Sequence, residues 1–175
     1  NKIRIIKCKK SENTFNRKKG TDFKKGNFIE RCNILSPRDL LLFASMGYGK
    51  FEVYKRLKIS ILSVGNELLE PGQKIKRNKI YASNAYGISG LLKKYSCKCE
   101  ILPISEDTII SISKNLINAL KNSDLIITIG GASVGSYDLV KGAKKKMGGE
   151  FIFEKVKIRP GKPTFTGILN KLPIF

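Results

Sequence analysis

Gly130-Gly-Ala-Ser-Val-Gly-Ser-Tyr-Asp138 follows directly on the apolar run Asp124-Leu-Ile-Ile-Thr-Ile129. A strand that ends in a glycine turn and passes into a helix exposes backbone N–H groups at the mouth of a sheet. The positive end of the helix points to the same place, so the turn suits an anionic ligand, typically a phosphate. A structural glycine turn uses the same residues and is the plainer reading of such a loop taken alone. The neighbouring segments decide between the two.

Three further segments carry chemical groups. Gly65-Asn-Glu-Leu-Leu-Glu-Pro-Gly-Gln73 puts Glu67 and Glu70 in a turn, and Ser105-Glu-Asp-Thr108 puts Asp107 at the start of a helix, where Asp also serves as a cap. In Arg159-Pro-Gly-Lys-Pro163 two prolines stiffen the chain around Gly161, so that Arg159 and Lys162 are presented at a defined place. Together the four segments supply amide donors, two cationic side chains and a set of carboxylates. That combination fits a phosphorylated ligand held against a divalent cation, with Glu67, Asp107 and Asp138 as candidate ligands of the cation, directly or through water. Each acid taken singly reads as a cap or a surface charge. The functional reading rests on their convergence.

The chain has no histidine among its 175 residues. This excludes Ser-His-Asp and Cys-His nucleophiles, imidazole bases and most zinc or iron sites. What remains is chemistry by carboxylates, Lys, Arg, hydroxyls, backbone amides and oxygen-bound cations such as Mg²⁺. Four cysteines, Cys8, Cys32, Cys97 and Cys99, match neither a zinc pattern nor a disulfide framework and are expected reduced and buried. Cys97 and Cys99 share one strand face by the period of two.

Lys and Arg number 34 against 14 Asp and Glu, a formal charge of +20. The lysines are spread along the chain and do not alternate with aromatics as in single-strand binders. The charge therefore reads as a solvated surface that helps to attract a phosphorylated substrate, with nucleic-acid binding the minority reading. No apolar stretch approaches the ~20 residues that span a bilayer, and Lys2–Lys7 is too short for a signal peptide, so a cytoplasmic location is expected. The chain starts at Asn1 and stops at Phe175 inside a strand pattern, as a piece of a longer protein would.

The elements that must position these segments follow from periodicity. A continuous apolar strand is expected at Lys58–Val64, a second strand at Cys97–Ile104 and a third at Asp124–Ile129, with helices at Ile80–Tyr95, Thr108–Lys121 and Leu139–Met147. Phe151–Ile158, Thr164–Leu169 and Lys171–Phe175 read as further strands. Alternating strands and helices imply a three-layer, doubly wound, mostly parallel α/β sheet, whose ligands sit beyond the carboxyl ends of the strands. Residues 1–56 differ. Lys2–Cys8, Asn27–Cys32 and Lys50–Lys55 have strand character, and Ser36-Pro-Arg-Asp39 opens a short helix with Leu40, Leu41, Phe43 and Ala44 as its apolar face and Gly47 as its stop. This part is expected to be a small β-rich subdomain, and residues 57–175 the α/β domain.

Ile61-Leu-Ser-Val-Gly-Asn-Glu-Leu68, Pro71-Gly-Gln73, Ile80-Tyr-Ala-Ser-Asn84, Gly130–Lys141 and Arg159–Pro163 resemble, in order, the molybdopterin molybdenumtransferase family (MoeA-like, and the E domain of gephyrin in animals). The resemblance covers residues 57–175, and more weakly Arg17…Asp22 and Leu35–Gly47. It implies that 57–175 is a molybdopterin-binding domain in molybdenum cofactor synthesis. The family takes adenylylated molybdopterin and molybdate and releases the molybdenum cofactor and AMP, with Mg²⁺ assisting. It also implies an elongated homodimer of four-domain chains and a molybdopterin adenylyltransferase as partner.

By position, the resemblance puts the family's acidic residues, catalytic and metal-binding, on Glu67, Asp107 and Asp138. Its ligand-contacting segments fall on Gly130, Gly131, Ser133 and Gly135, and on Pro160, Gly161, Lys162 and Pro163. One departure bears on the cation: the family's Gly-Asp-Glu-Leu is here Gly65-Asn66-Glu67-Leu68, one acid fewer. The family's Gly-Leu-Pro-Gly-Asn-Pro would begin just after Phe175. Two alternatives stay open: the adenylyltransferase of the same fold, which normally has a Gly-Gly-Thr-Gly loop, and a scaffold that uses this domain without catalysis.

Overall fold

The computed structural model describes residues 17–29, 34–131 and 138–175. Lys2–Cys8, Cys32, Ser133 and Gly135 lie outside the described residues. Contacts divide the chain into two units, Asn1–Val53 and Tyr54–Phe175.

In the first unit, helix α1 (Pro37–Ser45) has the expected start. Ser36 and Asp39 form a reciprocal capping box, with Ser36 Oγ accepting from Asp39 N–H and an Asp39 oxygen accepting from Ser36 N–H at 2.8 Å. Gly47, at φ +88°, ends it and donates its N–H to Ala44. The expected apolar face is not buried: Leu40 and Leu41 are exposed, and the described contact is Phe43 on Phe51, ring centroids 4.9 Å apart. Lys50–Lys55 is irregular rather than a strand, and among the described residues of this unit there is no strand. Strand propensity without a pairing partner leaves the backbone unladdered.

In the second unit, Lys58–Val64 forms β1, buried at every position after Lys58. Burial on both faces explains its continuous apolar character. Ile59 and Ile61 face one layer and Leu62 and Val64 the other. The chain continues through two-residue strands β2 (Leu68–Leu69) and β3 (Ile80–Tyr81), helix α2 (Ser83–Lys94), β4 (Lys98–Ile101), α3 (Ile109–Asn122), β5 (Leu125–Gly130), α4 (Leu139–Lys146), β6 (Glu150–Phe153), β7 (Thr166–Leu169) and β8 (Leu172–Ile174). Ile80-Tyr81 opens no helix, because it pairs with Leu68-Leu69 in a small parallel ladder, and α2 starts three residues later than its periodicity suggests.

The main sheet has the order β4-β1-β5-β8-β7-β6. Helix α2 covers one face, its Ala85 clustering with Ile59 and Ile61 of β1. Helices α3 and α4 cover the other through Ile112, Leu116, Ala119, Val140 and Ala143. β4, β1, β5 and β8 are mutually parallel, whereas β7 is antiparallel to both β8 and β6. No helix separates β6 from β7, so the pair closes antiparallel, and β6 ends at Phe153, well before the expected Ile158. Two reversals restore the direction of β6 to that of β1. The carboxyl ends of β1, β4, β5 and β6 therefore all open on one edge of the sheet.

Candidate functional site

The segment after β1 and the one after β4 are clasped together at this edge. Gly65 donates its N–H to Ser105 O at 3.0 Å, and Val64 bridges Ser105. Asn66 N–H donates to Asp107 Oδ2 at 2.9 Å, while Asp107 N–H donates to Asn66 Oδ1 at 3.1 Å. Asp107 is thus not the helix cap that its position suggested. Thr108 caps α3 by accepting from Ser111 N–H at 3.2 Å, which leaves the Asp107 carboxylate for the β1 turn. Lys79, between β2 and β3, donates its ammonium to Asn66 O. The Glu67 carboxylate folds over Gly65, where a Cβ would stand 2.6 Å from Oε1.

β5 enters its turn beside β1. Gly130 and Gly131 have φ of +81° and +65°. A Cβ on Gly130 would lie 2.3 Å from Val64 O, and one on Gly131 would lie 2.7 Å from Val140 Cγ2. Both the conformation and the close approach require glycine. The turn's first two residues are therefore structurally obligatory, whatever ligand its remainder meets. The turn ends at Asp138, the N-cap of α4, whose Oδ1 accepts from Lys141 N–H at 3.0 Å and whose Oδ2 lies 3.2 Å from Lys141 Nζ.

After β6, Val156 N–H donates to Lys162 O at 3.2 Å, and Gly161 O accepts from Thr164 N–H and Oγ1 at 3.0 and 2.7 Å. These bonds close the Arg159–Pro163 loop, in which Arg159-Pro160 is cis and Gly161 has φ +112°. Pro160 is exposed and Pro163 half-buried. Arg159 and Lys162 are exposed and form no ion pair among the described residues, so both cations remain available to an anion.

Topology therefore brings Glu67, Asp107, Gly130, Gly131, Asp138 and the Pro160–Pro163 loop to one edge, as expected. It does not assemble the three acids into a cation cage: among the described residues no three Asp, Glu or Cys side chains form a group that could hold a metal. Asp138 caps α4 through Oδ1, while its buried Oδ2, 3.2 Å from Lys141 Nζ, accepts no hydrogen bond. Carboxylates placed in this way fit Mg²⁺ only in its usual mode of one or two carboxylates completed by phosphate oxygens and water. Two cavities lie elsewhere, about 300 Å³ at the opposite edge beside Lys58, Lys98 and Ser123, and about 460 Å³ against α3 beside Ile110 and Ile117. Neither touches the four segments.

Sequence reasoning did not single out Lys79, Lys141 or Lys144. Lys144 is fully buried on α4, donates to Glu150 O at 2.6 Å and lies 3.8 Å over the Phe151 ring. Burial pushes its ammonium below the usual lysine range, partly offset by Glu154. Its signal was its place four residues after Val140, on the core face of the helix.

Residues 60–174 match the model of the family described as "probable molybdopterin binding domain". The chain belongs to this family. It is 38% identical over 155 residues to the molybdopterin molybdenumtransferase of Haemophilus influenzae, covering 88% of this chain and 38% of that protein. The solved structure of the molybdopterin biosynthesis protein MoeA from Pyrococcus horikoshii matches with a TM-score of 0.71 and 26% identity, over 81% of this chain and 34% of that one. The molybdopterin biosynthesis enzyme MoaB of Thermus thermophilus shares the fold, with a TM-score of 0.50 and 18% identity over 67% of this chain and 78% of its own. The chain thus spans about two fifths of the curated relative's length. Among the described residues, no helix of this family member is long and apolar enough to cross a membrane.

Proposed function

We propose that this chain is the pterin-holding part of an enzyme of molybdenum cofactor synthesis, one that binds adenylylated molybdopterin while molybdenum from molybdate enters the dithiolene and AMP leaves. The observation that carries the reading is the common edge of β1, β4, β5 and β6, where the turns that carry the amides, cations and acids emerge. The family's description and the names of the relatives support a molybdopterin as the ligand.

The chemistry asked of the protein is positional and electrostatic. Backbone N–H groups at the Gly130 turn and the start of α4 face the phosphates, with Ser133 and Gly135 in the same loop by sequence. Arg159 and Lys162 pair with anionic oxygens, while Pro160, Gly161 and Pro163 hold those cations in place. Asp107 stiffens the β1 turn that carries Glu67. When bound, Mg²⁺ would draw on Asp107 and Glu67 and lower the charge barrier to cleaving the phosphoanhydride. No side-chain nucleophile is needed.

Binding tests this directly. Titrated with adenylylated molybdopterin, the chain should show saturable quenching of pterin fluorescence that weakens when Arg159 and Lys162 are both replaced by Ala. Removing the two cations should cost at least about tenfold in affinity. Absence of saturable binding would remove the proposal. Consumption of ATP and molybdopterin instead, with adenylylated molybdopterin formed and pyrophosphate released, would assign the adenylyltransferase step.

A further inference from the structure

We propose that Lys141 is a positioning residue that locks the Arg159–Pro163 loop onto the start of α4. The inference rests on the pterin site described above and adds a member that never touches the ligand. Lys141 Nζ lies 3.0 Å from Glu154 O, 3.2 Å from Asp138 Oδ2 and 4.0 Å from Glu154 Oε2, and 5.7 Å from the Phe165 ring centroid. Its side chain is 14% exposed and that of Asp138 is 8% exposed. The ion pair with Asp138 is thus sheltered from water and screened less than a surface pair, while the charge-assisted hydrogen bond runs to Glu154 O.

The geometry separates Lys141 from a mere brace. α4 and β6 are joined by two lysine rungs, Lys144 to Glu150 O and Lys141 to Glu154 O. The first rung already holds the strand, since Lys144 threads between Gly149 and Gly167, where a Cβ would stand 2.5 Å from its Cγ or 1.8 Å from its Nζ. The second rung acts one residue beyond Phe153, the end of β6, at the take-off of the loop that carries Arg159 and Lys162. At the same time Lys141 neutralises Asp138, so the buried carboxylate does not repel an anion arriving at the α4 start. One ammonium thereby sets both the place and the charge balance of the phosphate end of the site.

The test compares Lys141→Met and Lys141→Arg in the full chain. The Met variant should speed hydrogen exchange at the Val156 amide and bind adenylylated molybdopterin about tenfold more weakly, the worth of one charge-assisted bond. The Arg variant, which can span both partners, should stay within about threefold of wild type in each. If Lys141→Met does not fold, Lys141→Gln, too short to reach Glu154, serves in its place. Unchanged Val156 exchange, or an Arg variant as impaired as the Met variant, overturns the proposal. The exchange readout uses no ligand. Failure of wild type to bind the pterin would therefore count against the proposed function and leave the lock to be judged on Val156 alone.

Discussion

Asn66 engages neighbours through its N–H, its carbonyl and its side-chain oxygen: Asp107 Oδ2, Lys79 Nζ and Asp107 N–H. It stands where the resembling family carries Asp. An Asp at 66 would still accept from Asp107 N–H but would bring a third carboxylate to a corner that now holds Glu67, Asp107 and the Lys79 ammonium. Asn66→Asp should therefore raise Mg²⁺ affinity by roughly tenfold, since added ligand charge strengthens hard-cation sites. Calorimetric titration of the chain with Mg²⁺ checks this, and unchanged affinity would mean that Glu67 and Asp107 do not face a cation. The acids show what a sequence can and cannot convey. Glu67, Asp107 and Asp138 were legible as chemical groups at one edge. Their partners were not, because hydrogen bonds 41 residues apart, such as Asn66 with Asp107, leave no local pattern.

At the scale of elements, β1, α3 and β5 were legible because each carries apolar residues at the period of its own structure, around buried anchors such as Ile61, Leu116 and Ile126. Lys50–Lys55 and the tail of β6 were misread for one reason: strand residues become strand only where a neighbour completes the ladder. Helix α4 was legible in extent yet not in burial, since three consecutive lysines end it and one of them, Lys144, faces the core. That burial has a pH signature. The folded state lowers the Lys144 pKa, so between that lowered value and 10.5 the unfolded chain binds more protons, and stability rises with pH. The difference in Tm between wild type and Lys144→Met should therefore shift toward wild type as pH climbs from neutral toward 10.5. A difference constant with pH would contradict the buried position.

At the scale of the molecule, the chain carries a formal charge of +20, and its α/β unit presents an edge built from four turns. The α/β unit places its four chemically equipped segments at the carboxyl ends of its strands, where open sheets of this kind bind ligands. The β6–β7 reversal adds a helix-free fourth loop to that edge. A positive surface around such an edge raises the local concentration of an anionic ligand and makes its capture salt-dependent. The central claim is that these turns form one site. Hydrogen exchange of the chain with and without adenylylated molybdopterin measures it most directly. Protection should appear together at residues 65–67, 105–107, 130–131 and 156–162. Protection confined to a single turn, or found at the opposite edge beside Lys58 and Lys98, would contradict it.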